Sequence, residues 1–141
     1  MYEPVNLNAE LSAAKRFHGH MGPYLVVGMR MGRLFCQAFG EAPFGFRIHT
    51  SVGLQPPFSC IIDGLQVSTP GTIGNSMIRV EGDFALAAWA QKDDRRLDVR
   101  LREEVRRRID TETTRENEER IAAELWEAPA EDLFDVVRTG P

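Results

Sequence analysis

The sequence has little cysteine, no long apolar run and no excess of basic residues, and each shortage excludes a class of protein. Its two cysteines, Cys36 and Cys60, cannot form a disulfide framework or ligate a four-cysteine cluster within one chain, so we expect a cytoplasmic location. No window approaches the about 20 apolar residues of a membrane span, and the first ten residues lack signal-peptide features. A formal net charge of −4 argues against nucleic-acid and membrane partners.

The length of 141 residues fits a single domain, residues 1–141. The first part predicts two helices: one at about 7–17 with Asn8 as its N-cap, and a longer apolar helix at 23–39 that begins with proline. Gly28 and Gly32 lie on one face of the longer helix, where each costs about 1 kcal/mol relative to alanine. We therefore expect another backbone to approach that face closely.

The middle and end of the chain predict an α+β fold in which helices flank a mainly antiparallel sheet. Segment 59–69 suits a short buried helix, with a strand as the alternative. The other predicted elements are strands at 46–53 and 96–102, a hairpin of 77–82 and 83–90 joined at Glu81–Asp83, and helices at 114–126 and 130–138. The charged segment 91–120 is typical of a solvated strand and helix with ion pairs. Five aromatic residues are assigned to the core or to a subunit interface: Phe44, Phe46, Phe58, Phe84 and Trp89.

Two of the three histidines flank Gly19 in the segment FHGHMGPY. In an extended backbone, His18 and His20 would point to the same side, and neutral imidazole is a common zinc ligand. The pair alone is weak evidence, because one histidine capping a helix and the other exposed to solvent explains it equally well.

Cys60 is the best candidate for a third ligand, since it lies near helix-start signals that favour a thiolate. Asp63 follows one helical turn later and could ligate a metal or orient a ligand. His49 lies in a predicted strand and could face the site or turn away from it. Cys36 falls within an apolar helix and is assigned to the core. A catalytic pair of Cys60 with one of the two clustered histidines remains an alternative.

The segment STPGTIGN is the second candidate for chemistry. Its hydroxyl, amide and backbone N–H groups could hold an anion or the substrate. It matches neither the Walker pattern nor GxGxxG, and a plain turn is the alternative. The candidate ligand-binding residues are Thr69, Thr72, Gly74 and Asn75.

Taken together, FHGHMGPYLVVGMRMG (17–32) and SCIIDGLQVSTPGTIGNSMIRV (59–80) resemble the E-subunit (FmdE) family of formylmethanofuran dehydrogenase. The resemblance covers roughly residues 10–100 and implies an α+β core that forms an intertwined homodimer. It also implies a metal site made by His18, His20 and Cys60 with Asp63 nearby, for zinc or for nickel, cobalt or iron.

The chain departs from the family pattern in its sulfur content. Many members carry cysteine where Gly22 and Gly71 stand here, and longer members add a C-terminal zinc ribbon that this sequence lacks. The resemblance implies a metal-binding protein, and an enzyme on an unidentified small molecule would use Asp63 or His49 to move protons. The alternative is a non-enzymatic metal carrier, sensor or accessory subunit with a protein partner, associated with a molybdenum- or tungsten-dependent enzyme.

Overall fold

The computed structural model describes residues 5–141; residues 1–4, which belong to the predicted domain 1–141, lie outside the described part. The helices are α1 (Ala9–His18), α2 (Pro23–Phe39), α3 (Cys60–Ser68), α4 (Glu103–Glu112), α5 (Glu118–Glu127) and α6 (Ala130–Leu133). The strands are β1 (Arg47–Thr50), β2 (Ile78–Val80), β3 (Ala87–Lys92), β4 (Arg95–Leu101) and β5 (Phe134–Thr139). Within this part, no helix is both long and apolar enough to span a bilayer.

The two N-terminal helices form where the sequence predicts them. Asn8 accepts a hydrogen bond from the Leu11 backbone N–H at 2.9 Å and so caps α1. Gly19, with φ at +105°, ends that helix in the left-handed conformation that glycine tolerates. Pro23 is the first residue of α2, where its missing N–H costs nothing.

Helix α2 crosses α3 with the two backbones in contact. A Cβ added at Gly28 would overlap the Ile61 carbonyl oxygen and lie 3.0 Å from the Cα of Gly64. One added at Gly64 would overlap the Leu25 carbonyl oxygen. Gly32 faces the Ser68 side chain in the same way. The predicted close approach to the glycine face of α2 is therefore confirmed, and α3, the predicted short helix, is the element that makes it.

The sheet has the strand order β2-β1-β3-β4-β5. Only the β1–β2 pairing is parallel, so the prediction of a mainly antiparallel sheet is confirmed. The predicted hairpin of 77–82 with 83–90 is wrong, because β2 and β3 pair with opposite sides of β1. The crossover from β1 to β2 carries α3, and a connection of that length returns the chain parallel to its start. The hairpin of this sheet joins β3 to β4 instead.

The C-terminal part is half as predicted. Helix α5 forms within the predicted segment 114–126, but the predicted helix at 130–138 is wrong. There a single turn, α6, gives way to β5, which pairs antiparallel with β4. Phe134 is buried while Asp135 is exposed. The free edge of β4 thus offers hydrogen-bond partners that outweigh a weak local helical preference.

The two faces of the sheet differ in burial. One face packs under α2 with buried residues that include Ile48, Ala90 and Leu97. The other face carries a cross-strand row of exposed or half-exposed residues: Arg79, His49, Trp89, Asp98 and Val137. A core position is wrong for Phe44 and Phe84, which are 66% and 46% exposed; their place in a subunit interface stays a prediction.

The charged segment 91–120 forms β4 and α4, as expected, with ion pairs along its surface. The Arg96 guanidinium contacts Asp98 at 2.8 Å, and Arg108 contacts Glu112 at 3.5 Å within one helical turn. Only Ile109 of α4 is fully buried. This helix is therefore held mainly by its one apolar contact and by surface pairs of small individual value.

A buried arginine ties α2 to α5. Arg30 is only 7% exposed, and its Nη1 donates to the carbonyl oxygens of Leu125 at 2.7 Å and Trp126 at 3.0 Å. These carbonyls belong to the last turn of α5, where no intrahelical donor remains for them. The arginine thus satisfies the end of α5 from within the core and fixes that helix against α2.

Candidate metal and ligand site

A cavity of about 250 Å³ opens where several helices meet. Pro23 and Cys60, the first residues of α2 and α3, both line it, and Ile109 of α4 forms part of the opposite wall. His18 and His20 line the same cavity. The structure therefore brings the three sequence-predicted metal ligands to one place, although Cys60 follows the histidines by some forty residues.

The two imidazoles lie side by side at the end of α1, with ring centroids 5.0 Å apart. His18 Nδ1 lies 2.6 Å from Asp63 Oδ2. An ionised carboxylate only accepts hydrogen bonds, so Nδ1 carries the proton in the neutral ring and Nε2 keeps its lone pair. Gly22 gives His20 room, because a Cβ there would lie 3.2 Å from His20 Nε2.

Cys60 is the first residue of α3, as the helix-start signals indicate. The expected low thiol pKa is wrong, however. Burial, and after it the negative charge of Asp63, raises the pKa of Cys60 above its usual value, although a backbone hydrogen bond lowers it in part. Desolvation penalises the thiolate more than the helix end stabilises it. At neutral pH this residue is a thiol until a cation displaces its proton.

The donors are near one another without forming a finished cage. Across residues 5–141, no three histidine, cysteine, aspartate or glutamate side chains converge closely enough to hold an ion. Asp63 is turned to His18, where it orients the ring. This matches the orienting role predicted for Asp63, while the ligating role finds no support in the geometry.

The structure does not bring His49 into this group. Its ring stacks on Trp89 at 4.1 Å between centroids, on the face of the sheet that points away from α2. Its Nδ1 lies 3.4 Å from Glu81 Oε1. His49 lines a surface depression beside Phe44 and Arg47 rather than the cavity at the helix ends.

The loop after α3 uses its polar groups internally. Thr72 Oγ1 accepts from the Asn75 N–H, and Asn75 Oδ1 accepts from the Thr72 N–H, both at 2.9 Å. Thr69 Oγ1 donates to the Leu65 carbonyl oxygen at 2.8 Å. A Cβ at Gly74 would meet only Thr72 Oγ1, at 3.7 Å. None of the four predicted ligand-binding residues of this loop is among those that line the cavity of the described part.

Sequence reasoning missed the far wall of the cavity. The Tyr24 hydroxyl donates to Asp110 Oδ1 at 2.6 Å, and burial together with this carboxylate raises the pKa of the phenol. Thr113 also lines the wall, and its buried hydroxyl makes no hydrogen bond within the described part of the chain. Asp110 and Thr113 lie in a segment whose alternating charges indicated only a solvated surface, and no local motif could have found them.

Comparison with known proteins identifies the family. Residues 17–135 match the family model described as FmdE, molybdenum formylmethanofuran dehydrogenase operon. Over 103 residues the chain is 33% identical to a probable S-adenosyl-L-methionine-binding protein of Archaeoglobus fulgidus, a match that covers 65% of this chain. The chain spans only 27% of the length of that relative.

A solved structure shares the fold. It is an FmdE-like protein of the tungsten formylmethanofuran dehydrogenase type from Syntrophus aciditrophicus, with a TM-score of 0.67. The superposition covers 92% of this chain and 69% of that one at 20% sequence identity, so it supports the architecture alone. With the family match over most of its length, the chain belongs to the FmdE family.

Proposed function

We propose that this protein binds a divalent metal, zinc in the first place, with nickel, cobalt or iron as alternatives, through His18, His20 and Cys60. The observation that carries the proposal is the 2.6 Å hydrogen bond from His18 to Asp63. Histidines that ligate metals typically donate their other ring N–H to a carboxylate, which orients the ring and makes the free nitrogen more basic. His18 is arranged in this way, and its free nitrogen belongs to a ring that lines the cavity.

The residues fit such an ion in chemistry more than in finished geometry. Two imidazoles and a thiol are ligands that zinc and its neighbours prefer. Because the donors do not already converge within residues 5–141, binding requires side-chain rotation at one or more of them. Gly22 leaves His20 free to turn, since it places no side chain against that ring.

The cavity supports a small ligand beside the ion. Its volume of about 250 Å³ lies below the about 300–1,000 Å³ usual for sites of drug-sized molecules. We assign the ligand contacts to Thr113, whose hydroxyl has no partner in the described part of the chain, and to the Tyr24–Asp110 pair. The loop 69–75 is assigned no direct contact, because its polar groups are already bonded.

A metal in this place would supply a Lewis acid or a water of lowered pKa to an enzyme. The protein's own part is to hold and shield the ligand: the apolar side chains of Leu25, Pro57 and Ile109 exclude water from the cavity. Asp63 is the residue placed to hold a proton, at His18 Nδ1. His49, far along the sheet from this group, has no such position.

A metal carrier or sensor, as an accessory component of a larger enzyme, is the second candidate function. It is favoured by the raised pKa of Cys60. An ion must displace the thiol proton to bind, and this cost weakens binding at neutral pH. Such a site releases its metal readily, as a carrier or sensor requires.

We also propose that the protein forms a homodimer. Large apolar side chains stand exposed on the single chain, among them Phe44, Leu54 and Phe84 at 66%, 76% and 46% exposure. Exposed apolar groups of this size are commonly covered by a partner. Light scattering on purified protein tests this: a monomer at micromolar concentration would contradict it.

The test of the metal site is elemental analysis of untagged protein, before and after reconstitution with zinc. We expect about one ion per chain, as three protein ligands with an open position bind it, and loss of that ion in His18→Ala and Cys60→Ala. Cys36→Ala and His49→Ala are matched controls that keep it, because neither residue lines the cavity. No ion in the reconstituted wild type would overturn the proposal.

The same protein, loaded with zinc, serves for ligand measurements. The Archaeoglobus relative is described as a probable S-adenosyl-L-methionine-binding protein, so that compound is the first probe by calorimetry. The small volume of the cavity leads us to expect no binding of the whole molecule. Tight binding that Thr113→Val abolishes would refute our size argument and identify the ligand.

A further inference from the structure

A line of hydrogen bonds leads from the cavity to the loop after α3. Asp63 Oδ2 accepts from His18 at 2.6 Å, and its Oδ1 accepts from Gln66 Nε2 at 3.1 Å. Gln66 Oε1 in turn accepts from the Ile73 backbone N–H at 3.0 Å. We propose that Gln66 is a positioning residue: it fixes the Asp63 carboxylate against the main chain of the loop and thereby orients the His18 ring.

The orientation of the Gln66 amide follows from its two partners. The NH₂ group faces a carboxylate that only accepts, and the carbonyl faces an N–H that only donates. Exchanging the amide nitrogen and oxygen would set oxygen against oxygen on one side and donor against donor on the other. The side chain is therefore held in one direction, with both ends engaged.

The loop is stiff enough to act as an anchor. Its reciprocal Thr72–Asn75 hydrogen bonds close a turn, and Asn75 Nδ2 also donates to the Pro70 carbonyl oxygen at 2.9 Å. These bonds keep the Ile73 N–H at a fixed place relative to α3. The role of the threonine- and asparagine-containing loop is thus to hold Gln66, in place of the ligand contact that its composition indicates.

Helix geometry places the carboxylate and the amide correctly. Asp63 and Gln66 are three residues apart on α3, so their side chains are neighbours on one face. With only the bond to His18, the Asp63 carboxylate would be free to rotate, because its side chain is 34% exposed. The second bond removes this freedom. Losses of such outer contacts cost about 10–100-fold in metal affinity, and the partial exposure of Asp63 places the expected effect near the lower end of that range.

Two substitutions separate positioning from loop anchoring. Gln66→Glu keeps an acceptor for the Ile73 N–H but replaces the donor to Asp63 by a second carboxylate. Gln66→Met removes both contacts at similar length. Gln37→Met, at an exposed position of α2, is the matched control, and thermal unfolding confirms that each variant is folded.

The readout is the tautomer of the His18 ring in metal-free protein, measured by nitrogen NMR at a pH where the ring is neutral. In the wild type we expect the Nδ1–H form to dominate. Both Gln66 variants should raise the Nε2–H fraction several-fold, and both should weaken zinc binding about tenfold in a chelator competition. The control should change neither quantity.

Two results would overturn the inference. A Gln66→Glu variant with the wild-type tautomer would show that only the loop contact matters. Unchanged tautomers in both variants would show that Asp63 needs no support. The inference rests on the proposed function only in naming His18 a ligand. If the wild type binds no zinc while the tautomer still responds to Gln66, the metal proposal fails and the positioning role stands.

Discussion

Substituting Gly28 by alanine tests the contact on which the helical layer depends. The added Cβ would overlap the Ile61 carbonyl oxygen and lie 3.0 Å from the Gly64 Cα. Both are main-chain atoms, and they cannot turn aside as the end of a flexible side chain can. Helix α3 must therefore move away from α2, and Cys60 and Asp63 move with it.

The expected cost follows from two opposing effects. Alanine gains about 1 kcal/mol over glycine from helix propensity. Overpacking a filled contact costs about 1–3 kcal/mol, and the backbone clash places Gly28→Ala at the upper end. We expect a net loss of about 2 kcal/mol in the free energy of unfolding. For a domain of this size that lowers Tm by about 5–10 °C.

Urea denaturation and thermal unfolding measure this loss. The control is Gly82→Ala, because a Cβ at Gly82 meets nothing within 4 Å; we expect a change within about 0.5 kcal/mol there. Gly64→Ala, which strikes the same contact from the other helix, should cost a similar amount. The double variant should cost less than the sum, since one displacement relieves both clashes. A Gly28→Ala protein as stable as the wild type would refute the close crossing of α2 and α3.

Three further predictions concern the site and its support. Because its raised pKa keeps Cys60 protonated through neutral pH, zinc affinity should rise with pH by about tenfold per unit more in the wild type than in Cys60→Ser, as measured by chelator competition; equal slopes would mean that the thiol does not ligate. Gly22→Cys places a thiol beside His20 Nε2, since the Cβ lies 3.2 Å away; it should tighten zinc binding by at least about tenfold, while Gly22→Ala, with the same Cβ and no thiol, should not. Arg30→Met leaves two buried carbonyls of α5 unpaired and should lower the free energy of unfolding by about 2–3 kcal/mol in urea denaturation; a loss below about 1 kcal/mol would show that water reaches these carbonyls.

The parts of the fold that local signals specify could be predicted from the sequence. The Asn8 cap and Pro23 mark helix starts by satisfying or avoiding free N–H groups, and the glycine face of α2 indicated a close neighbour. The histidine pair and Cys60 were found from residue type together with the family resemblance. These inferences needed no knowledge of which strands pair.

Pairing over long distances could not be predicted. Segment 134–139 has ambiguous local preference, and it becomes a strand only because β4 presents a free edge. The position of β2 depends on the crossover through α3, which the short connection to β3 concealed. The partner of Tyr24, Asp110, lies 86 residues away, so the far wall of the cavity exists only once α4 has packed.

All the side chains that line the cavity come from helices and their connections, while the sheet stands on the other side of α2. The turn Asp93–Asp94 between β3 and β4 belongs to that second layer. A fluorophore or surface tether attached there would leave the cavity mouth open. Immobilised in this orientation, the protein presents its helix ends to solution, which suits it to biosensor measurements with metals and small molecules.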